Sequence, residues 1–141
     1  MSTSSKILIV LFIIAFQATN LFSQIATTFH QSFTIDEDIP LIVIDLDYPV
    51  QIEEWNGNTI LIETNVQLSN TSKQILDYYI KDGRYKIEQK DYIAAVEYGH
   101  KKMVRKAIYT QNGPCKEDVL VKIYTPRNKT VNVTNSTAMA E

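Results

Sequence analysis

Tyr48-Pro-Val-Gln-Ile-Glu-Glu-Trp-Asn-Gly-Asn-Thr-Ile-Leu-Ile-Glu-Thr-Asn-Val-Gln-Leu68 is the stretch on which the fold turns. Val50 and Ile52 alternate with Gln51 and Glu53, the two-residue period of a strand with one buried face. Beyond Trp55-Asn56-Gly57 the same period resumes, with Ile60, Ile62, Thr64, Val66 and Leu68 on one side. Leu61, Glu63, Asn65 and Gln67 take the other side. A hairpin with a two-residue loop sets Ile52 against Leu61 and mixes the two sets. A three-residue loop, Trp55-Asn56-Gly57, sets Ile52 against Ile60 and Val50 against Ile62, and it assigns Gly57 the left-handed position. The alternative is a β-arc, in which the two strands stack as successive edges of a coil instead of pairing.

Moving outward, Phe29 to Ile35 alternates as an opening strand, and Asp36-Glu37-Asp38 closed by Pro40 reads as a turn. Leu41 to Leu46 (LIVIDL) is apolar on both sides, which predicts a strand covered on both faces. Ser69 to Gly83 changes period. Asn70, Thr71 and Ser72 offer helix N-caps, Gly83 offers a stop, and Ile75, Leu76, Tyr79 and Ile80 fall on one helical face, the alternative being Tyr78-Tyr79-Ile80 before Asp82-Gly83 as one arm of a hairpin. Arg84 to Gln89 alternates with Tyr85 and Ile87 inward. Tyr92 to Tyr98 and Met103 to Tyr109 are further strand candidates, joined by a turn at Gly99-His100-Lys101-Lys102. Val119, Val121 and Ile123 mark a strand ending at Pro126, and Val131 and Val133 a last short one. The expectation is a mainly-β chain: a small β-sandwich or short β-solenoid of seven to nine strands, with one helix at about residues 72–82.

The chain of 141 residues suffices for one domain. Lys6 followed by the apolar run Ile7 to Phe16, then small and polar residues up to Ser23, reads as an export leader over residues 1–23. The run is shorter than the about 20 apolar residues that cross a bilayer. The expected organisation is leader 1–23, one β domain over 24–134 and a frayed tail over 135–141, with no transmembrane segment in the mature chain. Localisation follows as exported: periplasmic, cell-surface or secreted. One cysteine, Cys115, leaves no intrachain disulfide to form, so the domain relies on its apolar core.

Charge is divided along the chain. Gln24 to Ser72 holds eight acids (Asp36, Glu37, Asp38, Asp45, Asp47, Glu53, Glu54, Glu63) and no Lys or Arg. Lys73 onward holds thirteen basic residues against eight acidic ones. Pairing between strands of the two halves accounts for such a division.

Chemistry-bearing patterns are sparse. The two histidines, His30 and His100, lie in a weak strand and a turn, apart from any Gly-x-Ser-x-Gly elbow. Glu53 and Glu54 are adjacent in a strand and point to opposite faces, which is wrong for a glycosidase pair. The acids of the first half lack calcium-loop spacing, and the scattered His and Cys do not suit transition metals. The reading is therefore no catalytic residue, no cofactor and no metal, and no nucleic-acid partner. Partner-binding candidates are Trp55 and Asn56 in the turn, and the basic residues Lys101, Lys102 and Arg105.

Val-x-Ile-x-x-Trp-Asn-Gly-Asn-x-Ile-x-Ile (Val50 to Ile62), then Val-x-Val-x-Ile-Tyr-Thr-Pro (Val119 to Pro126) and Val131-Asn132-Val133, resembles a known family. It is the family of exported bacterial adhesin-type proteins with an auto-transporter head-like β domain. The resemblance spans roughly Leu41 to Val133, and this chain carries fewer residues after the proline than typical members. It implies a non-enzymatic adhesin-like binding or scaffolding role, with a protein or glycan of the cell envelope as partner. The alternative is a small periplasmic enzyme or enzyme inhibitor.

Overall fold

A computed structural model describes residues 24–101 and 103–134. The expected leader, the tail and Lys102 lie outside the described residues. Strand β1 (Gln24–Thr34) opens the domain, followed by β2 (Leu41–Asp45), β3 (Val50–Trp55) and β4 (Thr59–Ser69). Helix α1 (Lys73–Lys81) leads to β5 (Ile87–Asp91) and β6 (Ala95–His100). Two two-residue strands, β7 (Tyr109–Thr110) and β8 (Gly113–Pro114), precede the long β9 (Glu117–Pro126) and β10 (Thr130–Val133). Two four-stranded sheets form, in the orders β1-β4-β9-β3 and β10-β2-β6-β5, with β7-β8 as a small ladder of its own. The apolar rows of both sheets share one core: Ile60, Ile62, Leu68, Val121 and Ile123 from the first, Ile42, Ile44, Val96 and Tyr98 from the second. The result is a small β-sandwich, the first of the two expected architectures.

The opening stretch forms both its strands but not the pairing expected of them. β3 and β4 are neither a hairpin nor an arc, because β9 lies between them in the same sheet. β3 runs parallel to β9, with Val50 beside Val121 and Ile52 beside Ile123. β4 runs antiparallel to β9, with Ile62 beside Ile123 and Thr64 beside Val121. The buried rows therefore read Ile52–Ile123–Ile62 and Val50–Val121–Thr64. Inserting β9 gives both strands a hydrogen-bonding partner while keeping the rows of Val50 and Ile52 and of Ile60 to Leu68 inward. Asn56-Gly57-Asn58 spans two strand spacings, roughly 9.6 Å, over the end of β9 at Pro126, within reach of four Cα–Cα steps.

Gly57 also departs from expectation, since its φ is not in the left-handed region. It is required by space: a Cβ there would lie 2.4 Å from Cζ2 of Trp55. The indole is laid across its own turn, and its Nε1–H donates to the Thr59 carbonyl at 3.0 Å.

The helix matches its expected place. The Ser72 hydroxyl caps it by accepting from the Ile75 amide at 3.4 Å, and Gly83 takes φ 83° just beyond the Asp82 cap. Leu76 is its buried anchor, with Ile75, Tyr79 and Ile80 partly covered. The chain then drives Arg84 inward, where its guanidinium donates to Glu117 (Nη2 to Oε2, 2.8 Å) and lies over the Tyr79 ring. Tyr85 and Ile87 are buried as expected.

Three strand expectations change. β2 alternates buried and half-buried residues and is not covered equally on both faces. Tyr92 and Ile93 occupy an exposed turn, and Met103 to Ile108 is irregular, with only Tyr109–Thr110 extended. Gly99 and His100 end strand β6 and are not the turn itself.

Candidate functional site

Alternation along the four strands of the first sheet sends a second set of side chains away from the core. β1 contributes Thr28 and His30, β4 contributes Leu61, Glu63, Asn65 and Gln67, β9 contributes Leu120, Lys122 and Tyr124, and β3 contributes Gln51, Glu53 and Trp55. Register arranges them in three zones. Toward the β3–β4 turn, Trp55, Tyr124 and Leu61 form an apolar end, and the Trp55 and Tyr124 rings lie 6.2 Å apart at 55°. In the middle Lys122 bonds Glu53 at 2.9 Å and lies over the Tyr124 ring, while His30 meets Glu63 at 3.2 Å. The Glu53 carboxylate, with Tyr124 assisting, holds the Lys122 ammonium above its ordinary range. This is the cross-half pairing expected from the divided charge; Arg105 with Asp47 is another case. Other ion pairs, such as Lys90–Glu97, stay within the second half.

The third zone is concave. β3 joins β9 only from Val121 onward, so Glu117 to Leu120 has no strand on that side among the described residues. A hollow of about 420 Å³ results, lined by Tyr48, Pro49, Asn65, Gln67, Asp118 and Leu120. The outer face thus offers an aromatic end, a charged middle and a hollow, in the span of one sheet.

The sequence-selected residues do not come together. Trp55 and Asn56 lie at the end of the sandwich where β9 finishes, and Lys101 and Arg105 at the opposite end, after β6. Trp55 is half-buried on its own turn and Asn56 is exposed. Arg105 is not a free cation: it donates to Asp47 Oδ2 at 2.9 Å and to the Tyr48 hydroxyl, and its guanidinium covers the Tyr48 ring. Asp36 and Asp47 likewise sit at opposite ends, so the acids of the first half do not converge.

His100 joins the Arg105 cluster, which the sequence reading missed. The Asp47 amide donates to its Nε2 at 3.0 Å, which leaves the ring proton on Nδ1, a buried atom without a partner among the described residues. Tyr48 packs edge-on against the ring at 4.7 Å. Burial, reinforced by the Arg105 guanidinium and partly opposed by Asp47 and Asp45, lowers the imidazole from 6.5 to about 4. Such a ring is neutral, with its basic nitrogen already engaged, so it acts as a hydrogen-bond acceptor that shapes the β2–β3 corner.

The outer-face residues that the sequence reading passed over are Tyr124, Lys122, Asn65 and Gln67. Alternation marked them as outward. Their grouping with Trp55 depends on β9 lying beside β3, which no local pattern signals. No family model, curated protein or solved structure matches this chain.

Proposed function

We propose that this chain is an exported, non-enzymatic β domain with an adhesin-like binding or scaffolding role, and that it binds through the outer face of its first sheet. The observation that carries this reading is the Trp55–Tyr124 pair beside the Glu53–Lys122 ion pair, on a sheet face that runs into the Asn65–Gln67–Asp118 hollow. Aromatic rings with polar neighbours supply large contact area at low conformational cost, the composition that dominates interface energetics. The partner is a protein or glycan of the cell envelope. The His100 cluster is where the rival enzyme reading has to place its base. There Nε2 already accepts a backbone amide and Nδ1 is enclosed, which favours binding over proton transfer.

The test is capture of envelope components by immobilised protein, quantified for wild type, Tyr124→Ala and Lys101→Ala. Tyr124→Ala is expected to weaken the captured interaction by tenfold or more, about 1.4 kcal/mol, with Lys101→Ala unchanged. Equal capture by all three proteins, with unfolding midpoints preserved, removes the outer face as the binding surface.

A further inference from the structure

Among the described residues the two sheets of the sandwich have four edge strands, and they are not alike; β5 is engaged at Ile87, whose backbone bonds the Gln31 side chain of β1. β3 carries Glu53 and Glu54 and follows Pro49; β5 carries Glu88, Lys90 and Asp91; β10 has only four residues. These are the means by which natural sheets discourage pairing with another chain: charge, proline and shortness. β1 (QIATTFHQSFT) has none of them. It is eleven residues long, pairs with β4 alone among the described strands, and contains no Lys, Arg, Asp, Glu or Pro. Its inward row, Ile25, Phe29 and Phe33, is only partly buried against the core.

We infer that β1 is a self-association edge, and that its occupant is β1 of a second copy of this chain, running antiparallel about a two-fold axis at Phe29. The register follows from the strand itself. An odd number of residues puts the dyad on the central one, and Phe29 is the sixth of eleven. In that register every residue is paired, and inward residues meet inward ones as a continuous sheet requires. Ile25 meets Phe33 of the second copy, Thr27 meets Gln31, and Phe29 meets itself. On the outer face Ala26 meets Ser32 and Thr28 meets His30. Shifting by two residues leaves ends unpaired and breaks the Ile25–Phe33 match, and shifting by one turns apolar side chains against polar ones.

A second copy rather than a foreign peptide is favoured because the dyad at Phe29 sets Ile25 against Phe33 and Phe29 against Phe29 on the inner face, with no ionised acid or base opposed to another. The joined sheet would have eight strands, with the outer faces of both copies on one side. Two copies of the proposed binding face would then lie on the same side of one sheet, which raises avidity for a repetitive envelope surface. The self-association itself stands independently of what that face binds.

The test is sedimentation equilibrium of the purified protein over a concentration series, with paired charge variants at exposed outer positions. T28K/H30K sets two symmetric pairs of like charges across the dyad, while the ammonium introduced by H30K stays beside Glu63 within each copy. T28E/H30K makes the same two contacts attractive. Wild type is expected to dimerise reversibly, T28K/H30K to weaken the dimer about tenfold at low salt, and T28E/H30K to hold it. A second readout uses A26C/S32C in a C115S background. Mild oxidation is expected to give a covalent dimer, whereas A26C/C115S alone gives none, because position 26 faces position 32 and not itself. Wild type remaining monomeric, equal dimer constants for the two charge variants, or no covalent dimer from the cysteine pair would each overturn the inference.

Discussion

His100→Gln isolates one contribution to the acid sensitivity of this fold. The half-buried imidazole is neutral in the folded protein and resists protonation down to about pH 4, whereas in the unfolded chain it takes up a proton near 6.5. The folded pKa is the lower one, so at pH values between the two the unfolded state binds more protons. Stability therefore falls as pH drops through this window, and the group contributes no pH dependence above it. Full linkage over that interval corresponds to about 3 kcal/mol. The ring is only partly shielded from water, which reduces the expected effect to about 1–2 kcal/mol. Glutamine keeps an acceptor oxygen near the position of Nε2 for the Asp47 amide but does not titrate. Urea unfolding at steps from pH 7.5 to 4 is expected to show wild type losing about this amount relative to His100→Gln, with Asp45, Asp47, Arg105 and Tyr48 the same in both. An unchanged gap between the two proteins across that range refutes the reasoning. So does an NMR titration of the His100 ring with a midpoint near 6.5.

Two further expectations concern packing. Gly57→Ala puts a methyl group against the Trp55 ring, where the Cβ distance is 2.4 Å, so the indole must leave the turn and give up its bond to Thr59. A loss of about 1–3 kcal/mol is expected, with a red shift in emission from the single tryptophan; an unmoved emission maximum contradicts the geometry. Arg84→Met strands the half-buried Glu117 carboxylate and is expected to cost about 3 kcal/mol, much of it recovered in Arg84→Met/Glu117→Gln. A double-mutant cycle with no coupling between the two positions speaks against the pair.

Much of the outline was legible in the residues. The inward rows at Ile60 to Leu68 and Val119 to Ile123 were evident from alternation, because a strand's two faces are set by its own backbone. The helix was legible from Ser72, Leu76 and Gly83, since caps and amphipathic period are local signals. Trp55, read as part of the turn, is the last residue of β3, and the reason for Gly57 beside it was misread. Gly57 answers to the volume of the indole, not to a left-handed turn, and volume is not written in a dipeptide.

By itself, then, the sequence determined which residues face inward, where the helix lies and that one apolar core carries the domain. Only the tertiary structure decided that β9 separates β3 from β4, bringing Tyr124 and Lys122 beside Trp55 and Glu53 while leaving Arg105 with Asp47 at the far end. The physical reason is range. Alternation, capping and turn chemistry are governed by neighbours a few bonds away, whereas the choice of strand partner is a competition among segments far apart in the chain. Here β9, far beyond β4 in the chain, matched both buried rows at once, with Ile123 level with both Ile52 and Ile62.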